Sequence, residues 1–202
     1  MPKKVYDFSQ FIKESLNEGS TRIFCDMDGV LTDFDRGFKR LKANHPEHLT
    51  PDEYEKKHGE HSIWPLIDAR EEKFWVRLPW MKDGRELWDY LKRYSPIVLS
   101  APSRSKHSVE GKMKWIKVNL GINQSEPTRS ATDMDPDSRI ILANDKAQFV
   151  KSKNDILIDD RQPNIDKWVA AGGTAIHHDD ATDTIRLLEE ILSRNSDTEE
   201  IQ

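Results

Sequence analysis

An open three-layer α/β fold of Rossmann-like type, with a small helical cap inserted after the first strand, is the architecture this sequence predicts. Three observations carry the expectation. Short apolar runs without polar alternation recur along the chain, the pattern of strands covered on both faces of a parallel sheet. Stretches with helical spacing of apolar residues separate them, so strand and helix alternate. One segment, residues 33–81, breaks the alternation and is too long for a simple connection.

In chain order, Phe8, Phe11, Ile12 and Leu16 form one apolar stripe on a short helix that ends near Gly19. "TRIFCD" is the first strand, and "SPIVLSAP", "SRIILAND", "NDILIDDR" and "GGTAIHH" are the later ones. Within residues 33–81, "LTPDEYEKKHG" reads as a helix. Thr50 caps it, Pro51 suits its first turn, Glu53 completes a capping box and Gly59 ends it. The same segment holds Trp64, Phe74, Trp75 and Trp80, aromatics enough for a small inserted cap. Leu87, Tyr90, Leu91 and Tyr94 then share a helix face, as do Val109, Met113, Ile116 and Leu120 before a stop at Gly121. Ile165, Trp168 and Val169 point inward from a short helix ended by Gly172, and Ile185, Leu188, Ile191 and Leu192 line the last one. The expected division is an N-terminal amphipathic segment (1–20), a core (21–32 and 82–195), the cap (33–81) and a disordered tail (196–202).

Composition narrows the function classes. The chain has 202 residues, 36% hydrophobic and 33% charged, with a net charge of −5. That balance gives no support for a nucleic-acid partner, which calls for a basic surface, but leaves room for a small phosphorylated substrate held by local charge. Cys25 is the single cysteine, so no intrachain disulfide forms, and its apolar setting makes it a small core residue. No apolar stretch is long enough to span a membrane, and the first residues lack the apolar centre of a signal peptide. A cytoplasmic location is the resulting expectation.

The chemistry lies where the apolar runs stop. The first ends at Asp26 and Asp28, the second at Ser100, the third leads to Lys146, and the fourth ends at Asp159 and Asp160. Ligands of an open parallel sheet bind outside the carboxyl ends of its strands. Each of these residues alone is commonplace at a turn; four strand ends supplying compatible groups to one crevice are not. Clustered carboxylates call for a cation, and an all-oxygen site with few carboxylates suits Mg²⁺ sharing its shell with a phosphate. An Asp carboxylate is also a nucleophile toward phosphorus. Lys146 and Ser100 are placed to hold phosphoryl oxygens, and Gly29 to let backbone approach them.

"DMDGVLTDF", "VLSAP", "NDK" and "LIDDR" together resemble the four motifs of the haloacid dehalogenase-like phosphohydrolases, in order and in sheet position, from about Arg22 to about His178. "KFWVRLPWMKDGRELWDYL" and "EGKMKWIKVNLG" narrow the resemblance to the 5'(3')-deoxyribonucleotidases. The resemblance implies a Mg²⁺-dependent phosphatase acting on a small-molecule phosphate monoester, here a nucleoside monophosphate, through an aspartyl-phosphate. It implies that Asp26 is the nucleophile and a metal ligand. Asp28 would be the acid and then the base, with its backbone carbonyl at the metal. Asp159 and Asp160 would hold Mg²⁺, Ser100 the phosphoryl group, and Lys146 the charge of both. Lys112 would be a second phosphate contact, against the plain reading of a solvated helix lysine. Ala101 departs from the pattern, because many members carry a second hydroxyl there. Phe74 and Trp75 would stack on a base, with Phe34 and Phe38 as weaker candidates, while Asp33 and Asp35 only begin the cap. Other readings stand beside this one: a phosphatase of sugar phosphates or nucleic-acid ends, and a non-catalytic adaptor on the same fold. A zinc site at His45 and His48 or at His58 and His61 lacks a third ligand and yields to a solvated surface.

Overall fold

β1 (Arg22–Cys25) is the middle strand of a five-stranded, all-parallel sheet ordered β3-β2-β1-β4-β5. The others are β2 (Ile97–Ser100), β3 (Ile140–Leu142), β4 (Asp155–Asp159) and β5 (Thr174–His177). The computed structural model describes residues 21–42 and 46–199, so the Phe8–Leu16 stripe and His45 lie outside the described residues. None of the described helices is long and apolar enough to cross a membrane.

The strands alternate two buried faces. Ile23 and Cys25 of β1 look to one side with Val98, Ile140, Leu142, Ile156 and Ile158. They meet α5 (Gly84–Leu91), α6 (Lys106–Leu120) and α8 (Ala181–Glu199) through Leu87, Trp88, Leu91, Trp115, Ile116 and Leu188. Phe24, Leu99, Ile141 and Leu157 look to the other side, where Trp168 of α7 (Gln162–Ala170) and Phe149 cover them. Phe24 and Trp168 meet edge to face at 4.9 Å, and the Trp168 indole N–H donates to the Asp155 carbonyl at 3.0 Å. Both faces of β1 to β4 being covered, their uninterrupted apolar runs follow, while the edge strand β5 is only half-buried. Cys25 is fully buried, and burial pushes its thiol up, far from a reactive thiolate.

The order in which strands are added reverses at the β1/β4 junction. From β1 the chain moves through β2 to β3 at one edge, then returns to β4 on the opposite side of β1. Such a switch point opens a crevice at the carboxyl ends of the two strands. The register pairs Cys25 with Ile158, so Asp26 and Asp159 emerge side by side.

Among the described residues the cap has four short α-helices: α1 (Phe34–Lys39), α2 (Pro51–His58), α3 (Ile63–Asp68) and α4 (Glu72–Val76). Asp33 caps α1, accepting from the Arg36 N–H at 2.8 Å. The capping box of α2 forms as its sequence predicts: Glu53 N–H donates to Thr50 Oγ1 at 3.2 Å and Thr50 N–H to Glu53 Oε2 at 2.7 Å. α4 is pressed onto α6 at Gly111, where a Cβ would overlap Trp75 and the Glu72 carbonyl. Trp80 and Trp115, 4.8 Å apart, continue the contact between cap and core.

Two expectations are corrected. Val169 is exposed, because α7 is covered on one side only and Ile165 and Trp168 fill that contact. Tyr94 is also exposed: α5 stops at Leu91, and a tight turn over Lys92–Tyr94 carries the tyrosine off the helix face. α8 is described as far as Glu199, and residues 200–202 of the expected tail lie outside the described residues. In α6 the buried face is centred on Ser108, Gly111, Lys112, Trp115 and Ile116, so Val109, Met113 and Leu120 lie at its margin.

His178, just past β5, is 4% exposed and shares a hydrogen bond between its Nδ1 and Thr184 Oγ1 at 2.8 Å. Burial lowers its pKa from the ordinary 6.5, and His177 adds to this, against the opposing pull of Asp83, Asp180 and Asp179. The folded chain therefore binds this proton less readily than the unfolded chain. The contribution is present above pH 6.5 and is lost as pH falls below it through the folded value. Thermal melts should show the fall in Tm from about pH 7.5 to about pH 5.5 reduced in His178→Gln relative to the parent chain.

Candidate active site

The loop after β1, from Asp26 to Thr32, folds back on itself. Leu31 and Thr32 N–H both donate to the Met27 carbonyl, at 2.8 and 2.7 Å, and Gly29 N–H donates to the Thr32 carbonyl at 2.8 Å. Asp26 and Asp28 thereby face a cavity of about 1250 Å³ between the strand ends and the cap. Its core wall includes Ser100, Ala101, Asn144, Lys146 and Asp160. Residues from four strand ends do converge, as their order along the chain predicts.

Lys146 stands between two buried carboxylates. Its ammonium is 2.8 Å from Asp26 Oδ1 and donates to Asp159 Oδ2 at 2.6 Å. Burial disfavours the Lys146 ammonium, but Asp26 and Asp159 outweigh that cost and raise its pKa. Burial raises the Asp26 pKa, Lys146 offsets part of the rise, and Asp159 and Asp28 add to it. Asp159 is held further by the Arg161 N–H at 2.9 Å and by Asn164 Nδ2, which lies 3.0 Å from each of its oxygens.

Asp160 is the least satisfied member. Its Oδ1 is buried without a hydrogen-bond partner, and burial, with Asp26 and Asp159 nearby, pushes its carboxyl up to about 6. Oxygens of Asp26, Asp159 and Asp160 all lie within 4.8 Å of one another, the one grouping of metal-ligating side chains with such geometry among the described residues. An orphaned carboxylate oxygen beside two more carboxylates fits a hard divalent cation with oxygen ligands. His58 instead stacks on Tyr54 at 4.2 Å, and His61 lines the cavity wall.

Several expected residues have other surroundings than expected. Gly29 has φ +86°, and a Cβ there would overlap the Asp160 carboxylate, so it makes room for Asp160 as well as for backbone turning. Lys112 is completely buried and reaches Asp28, Ser100 and the Ala101 carbonyl; the solvated reading is excluded. Phe74 is buried behind Phe34, their rings 5.4 Å apart, and does not line the cavity. It is corrected from base platform to core, because α4 must lie flat on α6 and Phe74 fills the space beneath. Phe38 is likewise fully buried. Trp75 lines the cavity at 2% exposure, its indole N–H unpartnered. Phe34 and Trp64 line the cavity from the cap as well, each half-buried.

Sequence reasoning missed Thr32, Asn164 and Trp64. Thr32 Oγ1 bonds Asp28 Oδ1 at 2.9 Å across the loop. It carried a weak signal, a hydroxyl four positions after a site carboxylate. Asn164 reads as an ordinary residue of a helix start, and Trp64 as one aromatic of several.

No family model matches the chain, and none of the curated proteins matches it significantly. Solved structures do match. A hydrolase from Streptococcus pneumoniae TIGR4 shares 11% identity with a TM-score of 0.49, over 84% of this chain and 98% of that one. A HAD-superfamily hydrolase from Ehrlichia chaffeensis shares 13% at a TM-score of 0.44, over 85% of this chain and 97% of that one. L-2-haloacid dehalogenase from Xanthobacter autotrophicus shares 11% at a TM-score of 0.48, over 77% and 76%. At such identities and scores these likenesses assign no function.

Gly29→Ala should drive a methyl group into Asp160 and strain the loop. Calorimetric titration with Mg²⁺ should show affinity falling by about 10–100-fold, the usual effect of disturbing a ligand's support, with the sheet intact by circular dichroism.

Proposed function

We propose that this protein is a Mg²⁺-dependent phosphatase that hydrolyses phosphate monoesters through an aspartyl-phosphate, with nucleoside monophosphates as its substrate class. The observation that carries the proposal is the buried Asp26–Lys146–Asp159 array beside the unpartnered Asp160 oxygen, with Asp26, Lys146 and Asp160 lining a large cavity. A structural role alone does not require burying so much charge at one strand edge.

Asp26, Asp159 and Asp160 would hold Mg²⁺, which when bound supplies positive charge to the phosphoryl oxygens and lets the buried carboxylates ionise together. The chain's own residues account for the remaining chemistry. The Asp26 carboxylate attacks phosphorus and the ester P–O bond breaks. Asp28, in its protonated form, gives its proton to the leaving oxygen. A water then attacks the phosphorus of the acyl phosphate and loses its proton to Asp28. The Asp26–phosphorus linkage breaks, giving inorganic phosphate and the free carboxylate. Ser100 accepts a hydrogen bond from Lys112, leaving its own hydroxyl proton to donate to a phosphoryl oxygen. Lys146 holds Asp26 in line and balances charge as it is transferred.

The cavity is larger than phosphate alone requires, and the aromatic side chains of Phe34 and Trp64 line its cap side. Those two features support a nucleoside over a small alcohol. The cap-side aromatics of this reading are thus Phe34 and Trp64, with Trp75 at the wall.

Phosphate release should be measured over ribo- and deoxynucleoside monophosphates, sugar phosphates and phosphorylated oligonucleotides, with Mg²⁺ and with EDTA. The expected result is metal-dependent release, greatest with nucleoside monophosphates. Asp26→Asn should reduce turnover by at least about 1000-fold while circular dichroism stays that of the parent. Release from none of these esters at any pH would overturn the proposal.

A further inference from the structure

Lys112 sits in the middle of α6 with none of its side chain exposed. An ammonium has three donors. Here each has a partner: Asp28 Oδ2 at 2.5 Å, Ser100 Oγ at 2.8 Å and the Ala101 carbonyl at 2.9 Å. No donor is left over for a phosphate. The Trp75 ring lies beside the same ammonium, 5.3 Å from nitrogen to centroid. Trp75 belongs to the cap, and α4 reaches this position because Gly111, the neighbour of Lys112, carries no Cβ.

The Asp28 carboxylate is held at both oxygens. Lys112 takes Oδ2, and Thr32 donates to Oδ1 at 2.9 Å. A carboxylate fixed at both ends has one orientation, the condition for a group that must meet a leaving oxygen and later a water at the same place. Two lysines therefore divide the carboxylates and the hydroxyl of the site between them. Lys146 serves the Asp26–Asp159 end, and Lys112 serves the Asp28–Ser100 end.

We infer that Lys112 is a positioning residue that acts on the reaction through Asp28 and Ser100 rather than by binding phosphate, and that the cap helps hold it there through the Trp75 ring. This inference rests on the phosphatase reading and deepens it. It replaces the phosphate-contact role that the sequence resemblance implies for this lysine. It also assigns Thr32 the matching role on the other Asp28 oxygen.

A double-mutant cycle tests the inference. The parent chain, Lys112→Met, Asp28→Asn and the double variant are assayed with Mg²⁺ and 4-nitrophenyl phosphate, whose good leaving group keeps the Asp28→Asn rate measurable. Lys112→Met alone should lower kcat by about 100-fold and leave KM within about threefold. In the Asp28→Asn background the same substitution should cost less than about tenfold, because the residue it acts through is already gone. Thr32→Val should show the same non-additivity with Asp28→Asn. The inference is overturned if the Lys112→Met factor is the same with and without Asp28. It is equally overturned if the substitution raises KM and the inhibition constant for inorganic phosphate together while kcat stays unchanged, since that marks a direct phosphate contact. Lys112→Gln, which keeps a donor, is run in parallel. If both lysine variants fail to fold by circular dichroism, the lysine is a structural cation and the inference falls. A parent chain inactive toward every ester defeats the phosphatase reading itself, and the inference with it; an active parent with an additive cycle defeats the inference alone.

Discussion

Two carboxylates buried side by side at the β1/β4 junction are tolerable because one ammonium lies between them. Unit charges about 4 Å apart interact by roughly 4 kcal/mol at an effective dielectric of 20, so Asp26 beside Asp159 without Lys146 would be a strong local repulsion. The ion pairs do not make this region a source of stability, since desolvating three charges offsets most of the attraction. They leave two carboxylates sharing one ammonium, beside an Asp160 oxygen that has no hydrogen-bond partner. The switch in strand order, the loop closed by Gly29 and the clamp of Asn164 on Asp159 all serve to hold these groups together.

The second ion cluster depends on the cap. Lys112 is dry because α4 lies across α6, and α4 can lie there because residue 111 is a glycine and the aromatic contacts of Phe34, Phe74 and Trp75 support it. The insertion after β1 is thus more than a roof over the cavity. It supplies the apolar wall that turns a helix lysine into an internal hydrogen-bond donor. The same insertion lines the cavity, with Phe34, Trp64 and Trp75 among its cap-side residues.

The sheet was legible because a strand covered on both faces has a simple signature. "RIFC", "IVLS" and "DILID" show it, and the structure places them as β1, β2 and β4. The cap helix at Pro51–His58 was legible because capping is local chemistry between residues three apart. Convergence of Asp26, Ser100, Lys146 and Asp159 was legible from their places at strand ends. Lys112 was not, because helical spacing counts apolar residues and a buried lysine looks like a solvated one until something covers it. Phe74 was misread for the same reason: an aromatic in a cap has no local feature that says whether it faces a cavity or a neighbouring helix.

By itself the sequence determined the identity and order of the chemical groups, the alternation of strand and helix, and the carboxyl edge at which the groups emerge, since these follow from local periodicity and from the geometry of parallel sheets. Only the tertiary structure decided which lysine balances which carboxylate, that Asp160 is left without a partner, that Gly29 gives way to Asp160, and which rings line the cavity. Those outcomes depend on contacts between segments far apart in the chain, such as residues 28 and 112 or 26 and 146. Charge pairing and burial are properties of those contacts, and no local stretch of residues contains them.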